Sequence, residues 1–179
     1  MNEFLFLFLI AAPAVWAMLL MVPASAANSH LKWCGRLGNV GAWLAMAGAV
    51  AGAVVMGMSG WEPLSLPSAG MVMVYLDVLS VAMALLIGFI GWVIIRFSRT
   101  YLLGEENQGR FFQWLGATLG SVFVLVISGN LALMLAAWIS TSLCLHRLLL
   151  FYPHREASII SARKKFVFSR LGDLCLLVA

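Results

Sequence analysis

Arg170 and Asp173 stand three residues apart in an apolar stretch, so on a helix they share a face. Opposite charges at that spacing neutralise each other. They thereby lower the cost of placing a charge at a bilayer centre, ~2.5–3.5 kcal/mol on insertion scales. In a polar cavity such a carboxylate takes up and releases protons as its neighbour moves, which makes the pair an ion-path element. A structural ion pair holding helices together leaves the same signature. Lys165 lies two turns earlier and extends the Asp173 face inward, while Lys164 and Lys165 together also fit a helix end reaching for lipid headgroups. His146 sits inside another apolar run, and histidine is the residue type that suits a proton relay. A hydrogen-bonded packing histidine is the alternative. Its neighbour Arg147 is close enough to the end of that run to snorkel. Ser140, Thr141 and Ser142 form a polar patch one to two turns before His146 and suit interhelical hydrogen bonding. Asp77, with Ser80 three residues on, reads as a helix cap. The expected ion-path set is thus Asp173, Arg170, Lys165 and His146.

The sequence offers no other chemistry. It contains no nucleophile–base pairing, Gly-rich phosphate loop, haem motif or His/Cys metal set. Cys34, Cys144 and Cys175 are odd in number and form no C-x-x-C pair, so neither a disulfide framework nor a zinc site is indicated. No catalytic residue, metal or cofactor is expected, and a transporter subunit fits better than an enzyme.

Of 179 residues, 63% are hydrophobic and 10% charged, and the mean hydropathy is +1.01. Soluble domains are ~45–50% apolar and ~25% charged, so a water-soluble globule of this composition could not cover itself. The bilayer is the fitting solvent, which excludes soluble enzymes and disordered chains. The net charge is +4, but the basic residues fall between apolar runs and so point to topology and lipid headgroups, not to nucleic acid.

The elements that must position the charges are apolar helices. The runs cover about 4–27, 38–58, 76–97, 111–127, 131–152 and 166–179. This predicts an all-α, polytopic transmembrane helix bundle in a single domain over residues 1–179. The first run is longer than a signal-peptide core and is preceded by Glu3, not a basic residue, although Ala24-Ser25-Ala26 imitates a cleavage site. Gly48 and Gly52 form a small-xxx-small pair, read as tight packing within one subunit. Residues 59–75 contain Gly60, Pro63, Pro67 and Gly70 and break any helix, and the alternation over 72–76 allows a short extended stretch. Ser128-Gly129-Asn130 leaves room only for a tight turn between antiparallel helices. From Lys164 to Ala179 the last run measures ~24 Å, short of the ~30 Å hydrocarbon core, which predicts a longer protein cut within a helix.

Lys and Arg occupy every second loop. They follow helix 1 (Lys32, Arg36), helix 3 (Arg99, Arg110, with Arg96 at the edge) and helix 5 (Arg155, Arg163, Lys164, Lys165). The other loops have none. The positive-inside rule puts these three loops in the cytoplasm and the N-terminus outside.

The order of residues 77–179 is more specific still. Residues 101–112, YLLGEENQGRFF, resemble the Y-M-x-G-E-E-x-x-x-R-F-F stretch of the large antiporter-like membrane subunit of respiratory complex I. Residues 130–138, NLALMLAAW, resemble that family's N-L-L-L-M-x-x-x-W run, and Leu143-Cys144 and Phe151-Tyr152 fall at matching offsets. Residues 165–173, KFVFSRLGD, are similar to its K-A-F-x-x-x-R-x-G-D. Residues 1–76 match only as apolar spans. The resemblance implies the N-terminal portion of an antiporter-like fold, an N-terminus outside, and coupling of ion movement to a partner's chemistry. It places Arg170 and Asp173 on the family's polar pair. It also exposes a departure: where respiratory subunits carry a proton-path Glu, this chain has Ile139, which cannot take up a proton. His146 and Arg147 replace an apolar and aromatic pair. Residues 138–153 and 162–166 look like a sister branch, the membrane subunit of the two-part, energy-coupled inorganic carbon transporter. That likeness implies a bacterial inner-membrane protein and a large soluble, zinc-containing, carbonic-anhydrase-like partner. The alternative it leaves is a proton-translocating subunit among the other subunits of an NADH:quinone oxidoreductase.

Overall fold

The computed structural model describes residues 2–22, 31–67, 73–103, 105, 107–151 and 156–178. Ala24-Ser25-Ala26, His30, Val72 and Arg155 lie outside the described residues. Among those described are six helices and one hairpin: α1 (Asn2–Met21), α2 (Leu31–Met58), β1 (Leu64–Pro67), β2 (Met73–Leu76), α3 (Val78–Tyr101), α4 (Gln108–Ile127), α5 (Leu131–Leu149) and α6 (Glu156–Val178). Four of them, α2 to α5, are long and apolar enough to cross a membrane. The chain is a multi-pass membrane protein with the expected all-α architecture.

Each apolar run yields a helix, but two helices start well before their runs. α2 begins at Leu31, so Lys32 and Arg36 are helical, and α6 begins at Glu156, so Arg163, Lys164 and Lys165 are helical too. Neither segment contains a proline to break the hydrogen-bond ladder, so each helix extends past its apolar run. With 23 residues α6 is about 35 Å long, in contrast to the ~24 Å inferred from its apolar part alone.

Consecutive helices run antiparallel. Trp16 of α1 meets Gly38 and Gly41 of α2 while Leu9 meets Gly48. Along α2 and α3, Gly35 touches Arg99, Gly38 touches Ile95 and Gly52 touches Val81. Along α4 and α5, Ser121 bonds Ser140 and Trp114 faces Arg147. The basic ends of α2, α3 and α5 therefore gather on one side of the bundle, as the alternation of basic loops requires.

The core lies within α1 to α4, centred on Trp16. Its ring is fully buried, edge-on to Phe123 with centroids 6.1 Å apart, and its N–H donates to the Gly38 carbonyl at 3.2 Å. A Cβ at position 41 would stand 2.5 Å from the Trp16 indole nitrogen, so only glycine lets α1 and α2 come this close. Gly48 rests against the α1 backbone and Gly52 against Val81, so both serve packing within the subunit. The hairpin pairs Leu64 with Leu76 and Leu66 with Val74. Val74 and Leu76 point into the core and Tyr75 outward, which is the alternation a half-buried strand needs. Val74 also bridges to Ser128, tying the hairpin to the α4–α5 turn.

Candidate functional site

Three of the four expected ion-path residues come together at the α5–α6 contact. Asp173 is buried, and Arg170 Nη2 lies 2.8 Å from its Oδ2. This is an ion pair rather than an aligned hydrogen bond, since Oδ2 has no hydrogen-bond partner among the described residues. The other oxygen, Oδ1, accepts from the Trp138 indole N–H at 3.0 Å. The Arg170 guanidinium also lies over the Phe166 ring, 5.4 Å from its centroid, and 3.5 Å from the Ser142 hydroxyl. Lys165 does not reach Asp173. Its ammonium donates to the Ser142 carbonyl at 2.6 Å and approaches the Ser142 hydroxyl at 3.4 Å. The hydroxyls of Ser142 and Ser169 bond each other across the helices.

Local periodicity explains this meeting. Trp138, Ser142 and His146 recur every four residues on α5, and Lys165, Ser169 and Asp173 do so on α6. Residues spaced by four lie one above another on a helix. The antiparallel contact then sets Trp138 opposite Asp173, Ser142 opposite Ser169, and His146 beside Phe166 at 5.0 Å between centroids. Two matching polar stripes were the signal that could have assigned Trp138, Ser142 and Ser169 to the site. No charged residue marks the α5 stripe at its Trp138 end, so reasoning from ionisable groups passed over it.

His146 stands one turn from Ser142, away from the Asp173 pair. Its Nδ1 is buried without a hydrogen-bond partner among the described residues. With Arg147, Trp114, Ser140, Cys144 and Phe166 it lines a cleft of about 620 Å3 between α4, α5 and α6. Arg147 lies 5.8 Å over the Trp114 ring. The serine patch splits between two neighbours: Ser140 bonds Ser121 of α4 at 3.0 Å, and Ser142 bonds α6. Thr141 turns back to the Ala137 carbonyl of its own helix. Both serines make the interhelical bonds that the patch suggested. Asp77 caps α3 as its spacing foretold, accepting from the Ser80 N–H at 2.6 Å, and the hydrogen bonds from Ser80 hold its carboxyl below the usual carboxylate range. Among the described residues no group of three or more His, Cys, Asp and Glu side chains could hold a metal ion.

Chemically, the site is a buried carboxylate with one indole donor on Oδ1 and one guanidinium counter-charge beside Oδ2, next to a lysine that donates to a backbone carbonyl.

Comparison with known proteins finds similarity to membrane subunits. Residues 68–112 match the family model described as NADH-ubiquinone oxidoreductase (complex I), chain 5 N-terminus. A probable inorganic carbon transporter subunit DabB of Hydrogenovibrio crunogenus is 41% identical over 102 residues, which are 56% of this chain and 20% of that protein. A probable inorganic carbon transporter subunit DabB2 of Halothiobacillus neapolitanus is 46% identical over 101 residues, 56% of this chain and 18% of the relative. NADH-quinone oxidoreductase subunit L of Escherichia coli is 36% identical over 104 residues, 58% and 17% of the two chains. The chain thus spans about a fifth of the length of these curated relatives. Over that segment it is similar both to complex I chain 5 and to subunits named as inorganic carbon transporter subunits.

Proposed function

We propose that this chain is part of a cation-conducting membrane subunit, for protons or sodium, of an energy-coupled inorganic carbon transporter. The observation that carries the reading is the buried Asp173 carboxylate, paired with Arg170 on its own helix and anchored to α5. A buried carboxylate keeps its charge only while a counter-charge stays beside it. When Arg170 moves toward the Ser142 hydroxyl, Asp173 takes up a proton, and the return of Arg170 expels it. Lys165, held two turns along α6, is the next cationic group able to respond, and His146 extends the polar stripe toward the cleft. Ile139 adds no protonatable group, so charge movement runs through the α5–α6 contact. In this reading the N-terminus faces outward across a bacterial inner membrane. A large soluble, zinc-containing, carbonic-anhydrase-like subunit then hydrates carbon dioxide on the side of the basic ends.

The test is bicarbonate accumulation in cells expressing the whole subunit with its soluble partner. Uptake is expected to vanish when the proton and sodium gradients are collapsed, and uptake that survives removes the coupling. Asp173→Asn is expected to abolish uptake while the complex still assembles; normal uptake by that variant refutes the role of the carboxylate.

A second reading is favoured by the family model over residues 68–112: a proton-translocating subunit of an NADH:quinone oxidoreductase. Copurification of the chain with flavin and iron–sulfur proteins would select it.

A further inference from the structure

Trp138 bears no charge, yet its indole makes the one directed hydrogen bond that Asp173 receives among the described residues. The two carboxylate oxygens have partners on different helices. Arg170 approaches Oδ2 from within α6 and travels with that helix, whereas the Trp138 N–H reaches Oδ1 from α5. The indole is therefore what ties the carboxylate to the neighbouring helix. An indole N–H donates and cannot accept, so it holds a carboxylate oxygen without competing for the proton. Such a bond to an ionised group is also about twice as strong as one between neutral groups. Trp138 is 48% exposed, and its N–H edge is the part turned toward α6.

We propose that Trp138 is a positioning residue of the ion path: its N–H fixes Oδ1 of Asp173 against α5 and leaves Oδ2 as the oxygen that exchanges its counter-charge. The inference rests on Asp173 being an ion-path group, and the experiment separates the two.

The whole subunit, assembled with its soluble partner, is labelled with 15N at the tryptophan indoles. The resonance that disappears in Trp138→Phe belongs to Trp138; Trp138→Tyr, which also lacks the indole N–H, serves if phenylalanine disturbs assembly. That resonance is expected to shift in Asp173→Asn, and bicarbonate uptake by the assembled Trp138→Phe complex to fall about tenfold, the lower end of what one hydrogen bond to an ionised group is worth. A resonance indifferent to Asp173→Asn overturns the proposal, as does full uptake by assembled Trp138→Phe. A resonance that shifts while Asp173→Asn transports normally overturns the ion-path role of Asp173 instead, and the positioning role falls with it.

Discussion

Helices α1 to α4 and the α5–α6 pair solve the same problem in opposite ways. Lipid tails are as apolar as leucine, so membrane helices gain little from hiding apolar surface against each other. They must associate by close van der Waals packing or by hydrogen bonds. The first four helices take the former route. Glycine and alanine on α2 admit the Trp16 ring and the α1 backbone, and Met46 fills the space over Gly88. The last two take the latter. On α5 only Ala137 and Cys144 are buried, and among the described residues of α6 only Ala162 and Asp173; the polar part of the contact is made by hydroxyls, one indole N–H and one ammonium. A close-packed contact has one good arrangement, since interiors transmit strain and do not deform continuously. A set of hydrogen bonds can exchange partners at nearly constant energy. The contrast predicts a stiffer first region and a more easily rearranged second one.

The largest loss that would test this contrast concerns Trp16. Trp16→Ala leaves a cavity at the centre of the packed region and removes the indole hydrogen bond to the Gly38 carbonyl. It is expected to lose about 3–5 kcal/mol of stability, read from unfolding in detergent. A loss below about 1 kcal/mol would mean that α1 to α4 are not held by close packing. A smaller but still substantial loss is expected at Gln113. This buried side chain donates to the Leu19 carbonyl at 3.0 Å and to the Val22 carbonyl at 2.5 Å, thereby closing the end of α1. Gln113→Leu leaves both carbonyls without their donor and is expected to cost about 1–3 kcal/mol in the same assay. Indifference to that change would show that α1 is secured by its apolar face alone.

Much of this division was legible before any coordinates. The alternation of basic and uncharged connections foretold the antiparallel order and the gathering of basic ends. Arg170 and Asp173 announced themselves by charge and spacing. Helix starts were less legible, because hydropathy marks where lipid lies and not where backbone hydrogen bonds begin: Lys32, Arg36 and Lys165 are helical although polar. The partners of the charged pair were less legible still. Which residue of α5 faces Asp173 depends on the register between two helices, and no single-helix periodicity fixes that. Only the coincidence of two four-residue stripes hints at Trp138 and Ser142.

The mildest substitution is the most informative about the polar contact. Ser142 meets α6 through two oxygens: its hydroxyl is shared with Ser169 and lies near Arg170, while its carbonyl accepts from Lys165. Ser142→Ala removes the hydroxyl and leaves the carbonyl, so the lysine contact survives and Ser169 is free to find another acceptor. Interhelical hydrogen bonds in membranes average about 0.6 kcal/mol for this reason, because the alternatives are also bonded. Ser142→Ala is therefore expected to change stability by less than about 1 kcal/mol, and a double-mutant cycle with Ser169→Ala should give a coupling of similar size. A loss matching that of Trp16→Ala would mean that the α5–α6 contact is locked into one arrangement, like the packed helices. The counter-charge exchange proposed for Asp173 could not then rely on that contact for movement.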